Sequence, residues 1–275
     1  MKIRNVDLWK IILVGLSGAV IWGFSRGLVF KKWIPVQDPQ SFVSRGDSFF
    51  VQNNLFFPIL GVMGLIVLSL YVTFFVLLEK NLPGNKFFKG FIYGSCFFLI
   101  YMAAFFEFYH FFDDSQKYAF LSGLADGIPL LITAVLSGVF FGTSNTVTGW
   151  RSPKYLAALL FIPIFFVLGR ILFYTVIYPS PLTFNPDSLL ILFIYGAAIA
   201  LAYYIISRGI TVTNSLLIPF AFALILFPIS LSGNLVICWK YNFPFYIMIL
   251  LTLIDTAAII IGALITEAIF RKSAG

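Results

Sequence analysis

Eight apolar runs, each long enough to cross a bilayer, lie near 8–30, 55–78, 87–112, 118–142, 155–178, 188–206, 215–235 and 244–270, separated by polar breaks of which one, 31–54, is extended. Hydrocarbon offers no partner to a free backbone N–H or C=O, so only helices and closed barrels cross it. The runs are continuous rather than alternating, which selects helices. The predicted fold is an all-α integral membrane protein of about eight transmembrane helices. Composition agrees: 60% hydrophobic residues, 11% charged ones and a mean hydropathy of +0.99 lie far outside the range of soluble domains. Pro219, Pro228 and Gly233 make the seventh run the weakest and predict a kinked or broken helix there.

Charge placement predicts the topology. Of the 18 Lys and Arg, Arg26 and Arg170 lie inside spans; Lys31, Lys32, Arg45, Lys117 and Lys240 fall on one side, and the other 11 fall on the side of the termini. Positive residues are retained in the cytoplasm, so both termini are expected there, in an inner or plasma membrane. Trp9, Trp33, Trp150 and Trp239 fall at the expected interfaces. Trp22 is the exception, inside the first span on a face with Gly15, Gly18 and Arg26 that is expected to pack on another helix. The +7 net charge is mostly this orientation signal, and no basic cluster with stacking aromatics points to nucleic acid. The first run is span-length without a cleavage site, so it reads as an anchor. Cys96 and Cys238 lie at opposite depths and should not meet. The basic inner loops carry tight turns at Leu82-Pro83-Gly84 and Ser152-Pro153.

A tandem pattern lies over this. Arg26 aligns with Arg170 at an offset of 144, and Asp126 with Asp255 at an offset of 129. The 15-residue difference equals the shortening of the loop after the first span (31–54, 24 residues) relative to that after the fifth (179–187, 9 residues). The second offset also places Thr133 on Gly262, Ser137 on Thr266 and Phe141 on Phe270. The chain therefore reads as a single polytopic domain, 1–275, with repeat halves 1–150 and 151–275 in a parallel 4+4 arrangement and an extracytoplasmic loop at 31–54. An even number of spans per half preserves orientation, so the halves would be related by an axis along the membrane normal.

Intramembrane charge carries the functional reading. Asp126 and Asp255 lie roughly 12–16 Å below the outer edge, and Arg26 and Glu107 about 6–8 Å below it. The aspartates cannot snorkel, and each would cost about 2.5–3.5 kcal/mol at a helix centre unless partnered. Arg26 and Arg170 are the natural counter-charges, because a guanidinium fork matches a carboxylate and keeps its charge in lipid. Small and polar residues continue the same faces: Ser122 above Asp126 with Thr133 and Ser137 beneath it, and Thr252, Gly262 and Thr266 around Asp255. Glu107 and His110, at i and i+3, have metal-ligand spacing. With a single histidine in the chain and Asp113 and Asp114 following, a solvated acidic rim is the better reading, and no metal is expected. Glu267 and Arg271 read as a local i, i+4 helix pair.

Two short patterns invite catalytic readings. Gly15-Leu16-Ser17-Gly18 resembles the Gly-x-Ser-Gly nucleophile motif of rhomboid proteases, but His110 is expected at the opposite surface, where no dyad can close. The paired intramembrane aspartates are similar to those of intramembrane aspartyl proteases, although Gly123-Leu124-Ala125-Asp126 departs from that family's Gly-x-Gly-Asp. The resemblance would imply a hydrolase with Asp126 and Asp255 sharing one site.

The leading expectation is movement or sensing of a small solute, ion or proton through a polar seam between the halves, with Asp126 and Asp255 binding the ion. The alternatives are a membrane assembly or interaction protein and the aspartyl hydrolase. No cofactor is called for, and the absence of a Gly-x-x-x-x-Gly-Lys loop speaks against ATP-driven transport by this chain alone. Expected partners are the bilayer, an unidentified solute or ion, and a protein partner or second copy of the chain, without nucleic acid.

Overall fold

The computed structural model describes residues 8–28, 46–112, 116–144, 155–156, 159–212 and 214–273. Among them, the principal elements are helices α1 (Leu8–Leu28), α2 (Phe56–Leu78), α3 (Lys86–Phe112), α4 (Gln116–Phe141), α5 (Phe161–Leu172), α6 (Pro186–Ile206), α7 (Ile218–Lys240) and α8 (Phe245–Ser273). All but α5 are long and apolar enough to cross a membrane, seven candidate spans that fit a multi-pass membrane protein.

Where the sequence suggested one uninterrupted run at 155–178, the structure is segmented. Tyr155 and Leu156 are helical, Leu159 and Leu160 form a turn, and α5 starts at Phe161 with Pro163 in its first turn. Proline lacks a donor and fits the first turn of a helix, where the N–H has no intrahelical acceptor, so Pro163 favours a start there. At its far end α5 passes into a π-helical turn, Phe173–Ile177, closed by Tyr178 N donating to Phe173 O at 2.9 Å. The Tyr174 carbonyl accepts from Ser180 N at 2.9 Å and from Thr183 Oγ1 at 3.1 Å. The kink-or-break expected in the seventh run resolves as an unbroken helix from Ile218 to Lys240, with Pro219 in its first turn and Pro228 tolerated inside.

Helix pairing follows a regular scheme. In the first half α1 packs on α2 and α4, α2 on α4, and α3 on α4; in the second, α5 packs on α6 and α8, and α7 on α8. The most extensive helix contacts between the halves are α3 with α6 and α2 with α7. The α3–α4 hairpin closes backbone to backbone: a Cβ on Gly90 would stand 2.3 Å from Ala134 O, and one on Gly138 2.4 Å from Lys86 O.

The larger core is aromatic, with Tyr71, Phe75, Tyr93, Phe97, Tyr203 and Phe222 buried. Tyr93 donates to Tyr71 O at 3.1 Å and Tyr71 to Leu130 O at 3.3 Å, so these buried hydroxyls keep partners. A second core gathers Phe111, Phe173, Tyr174, Cys238 and Met248. Cys96 belongs to the first and Cys238 to the second, both free thiols. Outward, Trp9, Leu13, Val20, Phe24, Phe57 and Val62 leave α1 and α2 with apolar surface suited to lipid.

Of the expected loop at 31–54, residues 46–54 are described. Ser48 caps a one-turn helix, Phe49–Gln52, and lies over the end of α7: its N donates to Lys240 O at 3.2 Å and its Oγ to Trp239 O. Residues 31–45 with Trp33, the acidic pair Asp113 and Asp114, Trp150, and the Ser152-Pro153 turn lie outside the described residues.

Candidate functional site

The sequence names Arg26 and Arg170 as counter-charges without assigning their partners; Arg26 meets Asp126 and Arg170 meets Asp255, each within its own half of the chain. On α1, Trp22 and Arg26 are one turn apart on the face that presses Gly15 against Ser69 and Gly18 against Thr133. Arg26 Nε donates to Asp126 Oδ1 at 2.6 Å and Nη2 to Oδ2, while Trp22 Nε1 donates to Oδ1 at 2.7 Å. The guanidinium fork and the indole thus take both oxygens of the carboxylate. The Arg26 side chain remains 31% exposed against 7% for Asp126. Replacing Trp22 with Phe keeps an aromatic side chain but removes the indole N–H donor along with part of the ring system. It should lower stability by about 1 kcal/mol, read as a small drop in the unfolding midpoint in detergent.

The second pair is deeper and carries an additional acid. Arg170 Nη2 donates to Asp255 Oδ2 at 2.9 Å, and its Nε stands 2.9 Å from Oδ1 without the alignment of a hydrogen bond. Arg170 Nη1 donates to Glu107 Oε1 at 2.8 Å, and the Tyr174 hydroxyl donates to the same oxygen. Exposure is 3% for Arg170, 4% for Glu107 and 6% for Asp255. Phe166 and Tyr195 present their rings 5.2 Å and 5.6 Å from the guanidinium carbon, and Phe111 stacks on Tyr174 at 3.9 Å. Two carboxylates therefore share one guanidinium, in a pocket walled by aromatic rings. Tyr174 belongs to the π-helical turn, an irregularity frequent at functional sites.

The polar stripes are buried but locally satisfied. Thr133 Oγ1 donates to Pro129 O, Ser137 Oγ to Thr133 O, Thr252 Oγ1 to Met248 O and Thr266 Oγ1 to Gly262 O, each four residues back on its own helix. Ser122 Oγ lies 3.2 Å from the Tyr109 hydroxyl, and Thr252 accepts from Asn234 Nδ2 at 2.9 Å. Thr133 meets Gly18 on α1, and Gly262 meets Ile162 on α5. The stripes thus serve packing inside each half, and α4 and α8 are not among the closely packed helix pairs. On those two helices Asp126 and Asp255 are held by separate arginines, from α1 and α5, an arrangement unlike a carboxylate dyad.

Glu107 and His110 part company. Glu107 turns to Arg170, while His110 Nε2 lies 2.8 Å from Ser188 Oγ in the first turn of α6. No group of three or more His, Cys, Asp or Glu among the described residues is placed to hold a metal. Ser17 Oγ donates to Leu13 O within α1.

Three features escaped the sequence reading. Tyr174 was discoverable, as a polar-tipped residue one turn beyond Arg170 in an apolar run. At the opposite end of the bundle Glu79 accepts from Thr143 N and Oγ1, both at 2.9 Å, and lies 3.5 Å from the fully buried Lys89 Nζ, tying α2, α3 and α4 together. Glu267 accepts from Tyr203 at 2.8 Å and from the Tyr155 hydroxyl; the expected pairing with Arg271 involves a side chain outside the described residues. No protein-family model matches the chain, and neither does any curated protein or solved structure searched.

Proposed function

We propose that the chain is an eight-span protein of an inner or plasma membrane, with both termini cytoplasmic, built as two parallel four-helix repeats and moving or sensing a proton or small ion at its buried charges. The observation that carries this is the recurrence of the arginine–aspartate pair at corresponding positions, Arg26 with Asp126 and Arg170 with Asp255. The correspondence extends to their surroundings. Trp22 and Phe166, also 144 apart, lie against the two guanidiniums. The Gly18–Thr133 contact recurs as Ile162–Gly262 with the small and large residues exchanged. Much of the helix pairing repeats too, since α1–α2, α1–α4 and α3–α4 correspond to α5–α6, α5–α8 and α7–α8, and α3–α6 corresponds to α7–α2, while α2–α4 packs without an equally close α6–α8 contact. Phe161–Ile177 has 17 residues, at the short end of the range of about 17–25 that spans a bilayer.

Buried charge in a membrane is costly and characteristic of ion and proton pathways, which favours function for a pair retained twice. A second reading has its own support: the stripe hydroxyls bonded to their own helices fit charges that hold a bundle for assembly with another protein or a second copy. Proton and cation flux in proteoliposomes separates them. Flux in the parent that disappears in Asp126→Asn or Asp255→Asn, with both variants folded, supports the pathway. Absence of flux, with both variants merely less stable, makes the charges structural.

A further inference from the structure

The two ion-pair sites differ in a way that identifies the ion. Asp126 meets the Arg26 guanidinium and the Trp22 indole, whereas Arg170 is shared by Asp255 and Glu107. With every group ionised, the Arg170 cluster holds one more negative charge than positive, in a nearly water-free setting where uncompensated charge is costly. One proton or one monovalent cation restores neutrality. The geometry leaves little room for a metal ion. Asp255 has both oxygens 2.9 Å from Arg170 nitrogens, with Oδ1 held by charge rather than by a hydrogen bond, whereas Glu107 takes its hydrogen bonds from Arg170 and Tyr174 both on Oε1 and none on Oε2. A hard cation takes about six or more oxygen ligands, whereas a proton needs one.

We infer that Glu107, Asp255 and Arg170 form a site that takes up one proton, with Glu107 Oε2 as the atom that receives it. This rests on the transport-or-sensing reading and narrows it to a proton and to one carboxyl. In the step, hydronium gives its proton to Glu107 Oε2 and leaves as water, and the carboxylate becomes a neutral carboxylic acid. Tyr174 continues to donate to Oε1, and Arg170 keeps its charge against Asp255. Access is short: Glu107 lies five residues from the end of α3, about 7 Å along the axis. His110, part-buried and held by Ser188, stands one turn further out. The groups facing the site are His110 from α3, Arg170 and Tyr174 from α5, Tyr195 from α6, Cys238 from α7 through the second core, and Asp255 from α8.

Infrared difference spectra and potentiometric titration of the purified protein, taken between mildly alkaline and mildly acidic buffer, test this without any flux. The parent should gain the C=O band of a buried carboxylic acid and bind one proton that Glu107→Gln does not bind. Asp255→Asn should lose the same band although Glu107 is intact, because a single carboxylate then balances Arg170. Glu79→Gln, at the other end of the bundle, should keep it. Unfolding midpoints accompany each variant, and the two replacements that remove the band act at different residues, so failure of one to fold leaves the other decisive. A band that survives in Glu107→Gln or in Asp255→Asn overturns the assignment. So does a parent without the band, or one whose spectrum responds to sodium or potassium rather than to pH. Flux without the band would leave transport standing and sink this assignment; the band without flux would leave proton uptake standing and reduce the function to sensing.

Discussion

Arg170→Leu should be the most damaging of the charge replacements. It removes the guanidinium against which Glu107 Oε1 and both oxygens of Asp255 are placed, and leaves two carboxylates that are 4% and 6% exposed. Stripping one partner from a buried ion pair typically costs about 3–5 kcal/mol, because the remaining charge keeps its desolvation penalty without its Coulombic return. Here two charges are orphaned, so the upper part of that range applies, a large share of the total stability of most folded chains. Arg26→Leu should cost less, since that side chain is 31% exposed and Trp22 still donates to Asp126. Thermal unfolding in detergent measures both. The triple variant Arg170→Leu, Glu107→Gln, Asp255→Asn carries no buried charge at this point and should recover most of the loss, since neutral replacements of a buried ionic cluster are often tolerated. An Arg170→Leu single variant as stable as the parent would mean that the carboxylates do not depend on this cation.

The charges were legible because an aspartate inside an apolar run is rare and expensive whatever the fold. Their pairing was not. Helical periodicity puts Asp126 and Arg26 on definite faces of their own helices, but which faces meet depends on how the helices are arranged. Glu107 shows the limit most clearly: its sequence neighbours His110, Asp113 and Asp114 suggested an acidic rim, while its actual partner, Arg170, is 63 residues away on a helix of the other half. The stripes at Ser122, Thr133, Ser137, Thr252, Gly262 and Thr266 were legible as buried small faces. Their hydroxyls gave no sign of whether they would line a path or bond back to the carbonyl four residues before, and Thr133, Ser137, Thr252 and Thr266 do the latter. Hydropathy shows one run at 155–178 because it does not register changes of backbone form such as the turn at Leu159 and Leu160 or the π-helical turn after Leu172. Pro163 was the available sign of a helix start, while the π-helical turn at Phe173 had no comparable local signal.

Gly262→Ala should be the most damaging of the small packing changes considered, and it links packing to the charge site. A Cβ at Gly262 would lie 2.7 Å from Ile162 Cα, 2.8 Å from Phe161 O and 3.0 Å from Ile162 N. All three are backbone atoms at the start of α5, so no rotamer change relieves the contact and α5 must move away from α8. Overpacking of this kind costs about 1–3 kcal/mol. The corresponding crossing in the first half is more forgiving: a Cβ at Gly18 would meet Thr133 Oγ1 at 2.4 Å, a side-chain atom that can rotate. Gly18→Ala should therefore be the milder of the two. Gly23→Ala, with nothing within 4 Å of the added carbon, should be neutral or slightly stabilising, because glycine costs more than alanine inside a helix. The α5–α8 crossing also sets the distance between Arg170 and Asp255, two turns along from Ile162 and Gly262. Pushing the helices apart should loosen the fork and reduce proton binding at Glu107 along with stability, whereas Gly18→Ala should leave that binding unchanged. Unfolding midpoints and proton titrations on the three variants check both links, and a Gly262→Ala protein as stable as Gly23→Ala would show that this crossing does not position the charges.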